Sequence, residues 1–181
     1  MRIIAGEWRG RKIVAPKGDT TRPTADRTRE RLFSMLTSRL GDFAELQVLD
    51  LFSGSGALGL EALSRGAAHC TFVEQDRDAI VALEKNITTL TADADVRIGS
   101  VLGLGPARRT YDLILMDPPY ETGAGSVALS KLGRLGWFAP SSWIAIETSR
   151  RENIDVKGFD IDCVRDSGKA RITLLRPHQD S

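Results

Sequence analysis

Asp117-Pro118-Pro119-Tyr120 follows directly on Tyr111-Asp112-Leu113-Ile114-Leu115-Met116, an apolar run of strand length. Two prolines in succession lock φ and remove two backbone donors, which leaves a stiff loop rich in acceptors: the Asp117 carboxylate and the Pro118 carbonyl. That set suits an exocyclic amine of a nucleic-acid base. The amine lone pair is delocalised into the ring, and acceptors gripping its N–H groups pull the nitrogen toward tetrahedral geometry and localise that pair for attack on an electrophilic methyl group. Positioning of this kind contributes up to about 7–11 kcal/mol in favourable cases. Asp117 can also take the released proton, and the Tyr120 ring offers a stacking face for a base turned out of its helix. Asp117, Pro118, Pro119 and Tyr120 are therefore the expected catalytic residues. The same tetrapeptide also reads as no more than a proline-rich strand exit.

A second constellation lies upstream. Val48-Leu49-Asp50-Leu51-Phe52-Ser53-Gly54-Ser55-Gly56-Ala57-Leu58-Gly59 reads as a strand, a glycine-rich turn and a helix start, and Glu74 closes the next strand twenty residues after Gly54. A carboxylate at that distance accepts hydrogen bonds from ribose hydroxyls. Gly54-x-Gly56-x-x-Gly59 with this acid satisfies the dinucleotide fingerprint as well as it suits S-adenosylmethionine. Asp50 tips the balance, because a carboxylate just before the loop suits the ammonium of adenosylmethionine and repels a pyrophosphate. The expected cofactor contacts are Asp50, Phe52, Ser53, Gly54, Gly56, Glu74 and Gln75, with Asp117 at the methyl group. A nicotinamide oxidoreductase is the competing reading. Neither of the two histidines, His69 and His178, has a convincing hydride-transfer setting.

Both constellations need a scaffold that brings strand ends to one edge. Strands are expected over Gln47–Leu51, Cys70–Glu74, Val96–Ile98, Tyr111–Met116 and Ser142–Glu147, alternating with helices over Ala57–Arg65, Asp78–Leu90 and Ser126–Gly136. This alternation implies a parallel sheet with helices on both faces, whose ligands sit at the carboxyl ends of the strands. Phe159–Arg165 and Ala170–Leu175, joined by Asp166-Ser167-Gly168-Lys169, read as an antiparallel hairpin. Upstream, Arg2–Ala5 and Arg11–Val14 flank Gly6-Glu7-Trp8-Arg9-Gly10 as a basic β-hairpin. Thr24 is the expected N-cap of a helix carrying Leu32, Phe33, Met35, Leu36 and Leu40 at helical spacing. The division is one structural domain: residues 1–40 as a hairpin and helix extension, residues 41–181 as the methyltransferase body.

Charge separates the same two parts. Residues 1–40 hold ten Lys/Arg and four Asp/Glu, whereas residues 41–181 hold fifteen and twenty, so +6 faces −5. A basic extension on an acidic body points to a polyanion, with Trp8, Arg9, Arg11, Lys12 and Arg27 as candidate nucleic-acid contacts. A solvated hairpin and helix with Trp8 as a core anchor explains the same residues. Cys70 and Cys163 lack metal-ligand spacing, so no metal is expected. No apolar run reaches bilayer length and the N-terminus has no signal-peptide pattern, so a cytoplasmic protein without a membrane partner is expected.

Asp117-Pro118-Pro119-Tyr120 is similar to the (Asn/Asp)-Pro-Pro-(Tyr/Phe) motif of amino-group methyltransferases. Three longer segments, Arg2–Lys12, Arg22–Glu30 and Phe52–Gly66, resemble the bacterial 16S ribosomal RNA guanine-N2 methyltransferases over nearly the whole chain. The resemblance implies a seven-stranded, Rossmann-like class I methyltransferase fold, S-adenosylmethionine as cofactor and a guanine of 16S rRNA, in the assembled or assembling small subunit, as substrate, with the enzyme a monomer. It also implies that Arg22-Pro23-Thr24 packs over the cofactor, which adds Arg22 and Thr24 to the site. The family usually places Asp or Asn after the third strand to read adenine. Here Gly99-Ser100-Val101-Leu102 stands there, leaving Ser100 and the Val101 backbone to do so. An adenine-N6 methyltransferase of DNA uses the same loop, but such enzymes commonly carry a target-recognition region that this chain lacks. A catalytically silent RNA-binding module is the remaining alternative.

Overall fold

The computed structural model describes residues 1–17 and 23–179, with side chains from Ala25 onward in the second stretch. In chain order the elements are α1 (Pro23–Leu40), β1 (Gln47–Leu51), α2 (Ala57–Ser64), β2 (His69–Glu74), α3 (Arg77–Leu90), β3 (Ala94–Ile98), β4 (Tyr111–Met116), α4 (Ala124–Arg134), β5 (Phe138–Ser149), β6 (Phe159–Ser167) and β7 (Ala170–Pro177). The strands form one sheet in the order β3-β2-β1-β4-β5-β7-β6. β1 to β5 are parallel, and β7 runs antiparallel between β5 and β6. The order reverses between β1 and β4, and that reversal opens a crevice at the carboxyl ends of the two strands.

Central strands of a parallel sheet are buried on both faces and so read as continuous apolar runs. Val48, Leu49 and Leu51 of β1 and Leu113 to Met116 of β4 are wholly buried. On one face α1, α2 and α3 pack Phe33, Leu36, Leu60 and Leu83 against Val48, Phe72, Leu115 and Leu174. On the other, Ala128, Leu129 and Leu132 of α4 join Trp137 over Leu49, Ile114, Met116 and Ile144. β5 runs four residues further toward the N-terminus than its apolar core suggests. There the Ser142 hydroxyl donates to the Tyr111 carbonyl at 2.6 Å and accepts from the Ala139 amide at 2.9 Å, bridging a register shift in β4. α1 starts at Pro23 rather than after a Thr24 cap, because proline at the first helical position loses no hydrogen bond.

The basic hairpin forms: Ile3 N–H donates to the Arg11 carbonyl at 3.0 Å, Gly10 N–H to the Ile3 carbonyl at 2.9 Å and Ile13 N–H to the Met1 carbonyl at 2.9 Å, around an antiparallel bridge between Arg2 and Lys12. Others of its backbone groups are bonded to the body. Glu61 of α2 accepts from the Ile4 and Ala5 amides at 2.8 and 3.0 Å, and Asn86 of α3 both accepts from Val14 N–H at 2.8 Å and donates to Val14 C=O at 2.9 Å. Gly6 has φ +87°, and a Cβ there would lie 1.9 Å from the Ser64 carbonyl, so only glycine lets the turn rest on the end of α2. Glu61 is fully buried and is balanced by Arg65 at 3.0 Å and the buried Arg29 at 3.6 Å. Removing one member of such a buried set costs about 3–5 kcal/mol, because the rest stay charged and unpaired.

Candidate active site at the reversal of strand order

A cavity of about 560 Å³ opens where the sheet order reverses, within the range of about 300–1,000 Å³ usual for small-molecule sites. Phe52, Ser53 and Gly54 form one wall, Glu74, Gln75 and Val101 another, and Asp117 and Pro119 the mouth. Sequence-expected residues from three strand ends thus converge, because β1, β2 and β4 are parallel neighbours in register.

The glycine loop is held by carboxylates. Gly54 N–H donates to Glu74 Oε1 at 2.8 Å, and Glu74 Oε2 also accepts from the Gln75 and Asp76 amides at 2.8 and 2.9 Å. Gly59 N–H, in the first turn of α2, donates to Asp50 Oδ2 at 2.9 Å. A dinucleotide pyrophosphate binds such loops through free amides at a helix N-terminus. Here two of those amides are taken by the protein's own carboxyl groups, of Glu74 and Asp50, and are not free for a phosphate. Asp50, expected in direct contact with cofactor, is 1% exposed and does not line the cavity; it lies behind the wall and ties β1 to α2. Its Oδ1 has no hydrogen-bond partner among the described residues. Burial raises its pKa well above the carboxylate range, the Gly59 bond opposes this, and Glu74 adds to it. A buried, under-bonded acid behind an acid-lined loop fits a cationic ligand group and not an anionic one.

Two further expected contacts lie outside the wall. Gly56, at φ +90° on the N-terminal side of α2, faces Leu83 and Phe72, where a Cβ would lie 2.5 Å from the Leu83 side chain. The Ser100 hydroxyl accepts from Leu102 N–H at 3.2 Å and caps a short turn over Val101–Gly103, so it is spent locally and leaves Val101 facing the cavity. Arg22 lies outside the described residues, and Thr24 is described only as backbone of α1. Met1, Ala15 and Ala25 close the cavity from the N-terminal side, and Asp76 joins its rim. Small apolar residues carry no chemical signal in sequence; tertiary docking alone brings them there.

At the mouth, Asp117 is exposed to the cavity. The protein around its carboxyl, then Glu147, then Asp50 push its pKa well above the ordinary range. Glu147 went unassigned in the sequence. Met116 pairs with Ile146, so the next residues, Asp117 and Glu147, stand side by side where β4 ends and β5 runs on to Ser149. The signal was there: an acid closing a buried apolar run, as Glu74 does. Pro118 is buried against Gly125, and the Pro119 carbonyl accepts from the Thr122 hydroxyl at 2.9 Å. Tyr120 is 46% exposed just outside the cavity. Partial burial, then Glu147 and Asp117, raise its hydroxyl pKa, so it stays neutral.

The proposed nucleic-acid residues of the extension are not brought to this edge. Trp8 lies beside Leu63, Ala67, Leu90 and Asp93, at the amino ends of β2 and β3, and packs partly buried against the core. Arg11 donates to the Thr89 carbonyl at 3.0 Å, while Arg9 and Lys12 are exposed on the same turn. Arg27 is exposed near the start of α1, on the catalytic side. No described helix is long and apolar enough to cross a membrane.

Comparison with known proteins supports the fold and the family. Residues 1–176 match the family model described as conserved hypothetical protein 95. The chain is 41% identical over 150 residues to ribosomal RNA small subunit methyltransferase D of Escherichia coli K12, covering 82% of this chain and 74% of that protein. The corresponding Haemophilus influenzae protein is 38% identical over 156 residues, with 83% and 79% covered. The solved structure of the Escherichia coli methyltransferase yhhF superposes with a TM-score of 0.83 at 36% identity, over 98% of this chain and 97% of that one.

Proposed function

Because the chain belongs to the bacterial small-subunit ribosomal RNA methyltransferase D family, we propose that it transfers a methyl group from S-adenosylmethionine to the exocyclic N2 of a guanine in 16S rRNA. The observation that carries this reading is the cavity in which an acid-held glycine loop faces Asp117 of the Asp-Pro-Pro-Tyr loop. It supports a positively charged methyl donor beside an amine acceptor and disfavours the nicotinamide alternative.

S-adenosylmethionine, when bound, supplies an electrophilic methyl group on a sulfonium. The chain's own residues do the rest. Glu74, fixed by three backbone amides, presents its remaining acceptor capacity to the ribose. Phe52, Ser53, Gly54, Gln75 and Val101 enclose the cofactor. Asp50 acts as a positioning residue, tying the start of α2 to β1. Asp117 and the Pro118 carbonyl accept the two N–H bonds of the guanine amine, and Tyr120 offers its ring to the turned-out base. Glu147 holds Asp117 at an elevated pKa, which makes it a competent proton acceptor once the amine is alkylated. Arg22 and Thr24 are proposed to close over the cofactor. Trp8, Arg9, Arg11, Lys12 and Arg27 are proposed RNA contacts, the first four remote from the target base. The division at residue 40, a monomeric enzyme and a cytoplasmic location complete the proposal.

Tritiated methyl transfer to small ribosomal subunits from a strain lacking the enzyme, followed by nucleoside analysis, tests it. N2-methylguanosine in 16S rRNA is expected. N6-methyladenine would establish the adenine alternative, and no transfer to any RNA would leave a binding module.

A further inference from the structure

Two more grooves lie beside the active site, separated by the β6–β7 turn. The first, about 550 Å³, runs from Tyr120 and Glu121 past Ser149, Arg150 and Arg151 to Gly168 and Lys169. The second, about 630 Å³, continues from Gly168 between that turn and the start of α1, with Arg27, Arg31 and Arg165 on its walls. We propose that the single RNA strand flanking the target base leaves Tyr120 through the first groove and crosses the β6–β7 turn into the second. Its phosphates are held there by Arg150, Arg151, Lys169, Arg165, Arg31 and Arg27. This rests on the reading of the chain as an RNA methyltransferase and adds where the RNA lies.

Position, rigidity and charge carry the inference. Tyr120 belongs both to the catalytic loop and to the first groove, so a strand whose base enters at Asp117 must pass there. The turn between the grooves is fastened to the end of β5. Arg150 N–H donates to the Lys169 carbonyl at 2.9 Å, Ser149 pairs with Ala170, and the Thr28 and Ser167 hydroxyls lie 3.1 Å apart. All six cations are exposed. They outnumber the acids of the two grooves, Glu121, Glu30 and Asp166, two to one, on a body that is otherwise net acidic. Those acids are poor competitors. Asp166 is engaged first by Arg171, at 2.8 Å from Nε, and then by Arg150 at 3.3 Å, which together hold its pKa down; Arg150 keeps its remaining guanidinium donors for phosphate. Arg151 is 87% exposed with Glu121 only at 4.0 Å, a surface pair that contributes little. Arg31 and Arg165 each spend one guanidinium N–H on a backbone carbonyl, at 3.1 and 2.8 Å. Each keeps donors of its five-donor fork for phosphate. The rigid loop then selects the base while the grooves position the strand.

The test replaces three cations along the track, Arg151→Gln and Lys169→Gln in the first groove and Arg165→Gln in the second, together. It measures binding to methylation-deficient small subunits, and to a single-stranded RNA oligonucleotide, as a function of salt. Three lost phosphate contacts should flatten the log–log salt slope by about 2 units on both probes, with adenosylmethionine affinity unchanged as the check on folding. If the triple variant folds poorly, Arg151→Gln alone should flatten the slope by about 0.7–0.9. Replacing Arg9, Arg11 and Lys12 at the opposite edge should flatten it less than the track variant does. An unchanged slope in the track variant overturns the proposal. So does a change with subunits but none with the oligonucleotide, which marks a protein partner, or a slope carried wholly by the Arg9 turn. A wild-type chain that binds and methylates no RNA fails the underlying function instead.

Discussion

The two sides of the active-site crevice treat their polar groups in opposite ways. On the β1–β2 side the carboxylates of Asp50 and Glu74 bond to backbone amides, and four such bonds close the glycine loop on itself. On the β4–β5 side Asp117 and Glu147 stand next to each other and raise the cost of ionising Asp117, while the arginines and the lysine beyond Tyr120 are exposed. A side that binds the same cofactor at every turnover gains from preorganisation, which lowers the cost of binding. A side that must grip a base only during transfer gains from acceptors and cations left under-satisfied until the substrate arrives.

The largest effect should come from the under-satisfied side. Asp117→Ala removes an acceptor that acts on the reacting nitrogen, so methyl transfer should fall by roughly 10²–10⁴ with cofactor affinity nearly intact. Single-turnover transfer beside calorimetric titration of the cofactor measures both. Near-normal turnover would reduce Asp117 to a structural role.

Next comes the anchor between the extension and the body. Glu61→Ala leaves the Ile4 and Ala5 amides without their acceptor and takes the buried carboxylate from beside Arg29. Stability should drop by about 3–5 kcal/mol in denaturant unfolding. A loss under 1 kcal/mol would show that the first seventeen residues are held by their other contacts, such as those of Asn86 with Val14.

On the closed side, Glu74→Ala removes the ribose acceptor together with the staple of the loop. Cofactor binding should weaken by about 1.5–3 kcal/mol, as for hydrogen bonds to charged groups, with single-turnover transfer at saturating cofactor largely kept. If transfer collapses while affinity holds, the contrast between the two sides is wrong.

The smallest effect is the most specific. On the proposed mechanism transfer requires ionised Asp117, whose raised pKa should move the acid limb of the rate profile above the ordinary carboxylate range. Below that midpoint the rate falls about tenfold per pH unit. Asp117→Asn keeps an acceptor without a proton to lose and should flatten the limb, whereas Glu147→Gln should shift it to lower pH. The same shift has a stability consequence. A carboxyl whose pKa is higher folded than unfolded loses its stabilising proton as pH rises from the unfolded value through the folded one. Asp117→Asn should therefore unfold at a higher temperature than wild type at neutral pH. An acid limb identical in all three proteins means that another group titrates.

Much of the scaffold was legible because its signals are local. Leu113 to Met116 could only be a strand buried on both faces, and the spacing of Gly54, Gly56 and Gly59 could only be a tight turn into a helix. Strand ends erred where long-range bonds decide them: β5 is extended by a Ser142 hydroxyl that reaches β4. The N-terminal hairpin was legible as a hairpin, since the Ile3 and Ile13 amides bond across it, but its docking was not. Alternation does not say that the next amide will find a carboxylate fifty-seven residues away, as Ile4 does with Glu61.

The sequence by itself determined the chemistry on offer: an acceptor-rich Asp-Pro-Pro-Tyr loop, a glycine turn under an acid, a second acid one strand on, and a charge imbalance between the first forty residues and the rest. Those are properties of residue type and short spacing, and they survive any packing consistent with an alternating α/β chain. Tertiary structure alone decided which groups act by contact and which from behind. It withdrew Asp50 and Gly56 from the wall and brought Met1, Ala15 and Ala25 into it. It set Glu147 beside Asp117, sent the Arg9–Lys12 turn to the far edge, and gathered Arg27, Arg31, Arg150, Arg151, Arg165 and Lys169 from three separated stretches into one track. The reason is that burial, register and pairing are non-local. A carboxylate's role depends on which amides and charges come within a few ångströms, and only the closed sheet decides that.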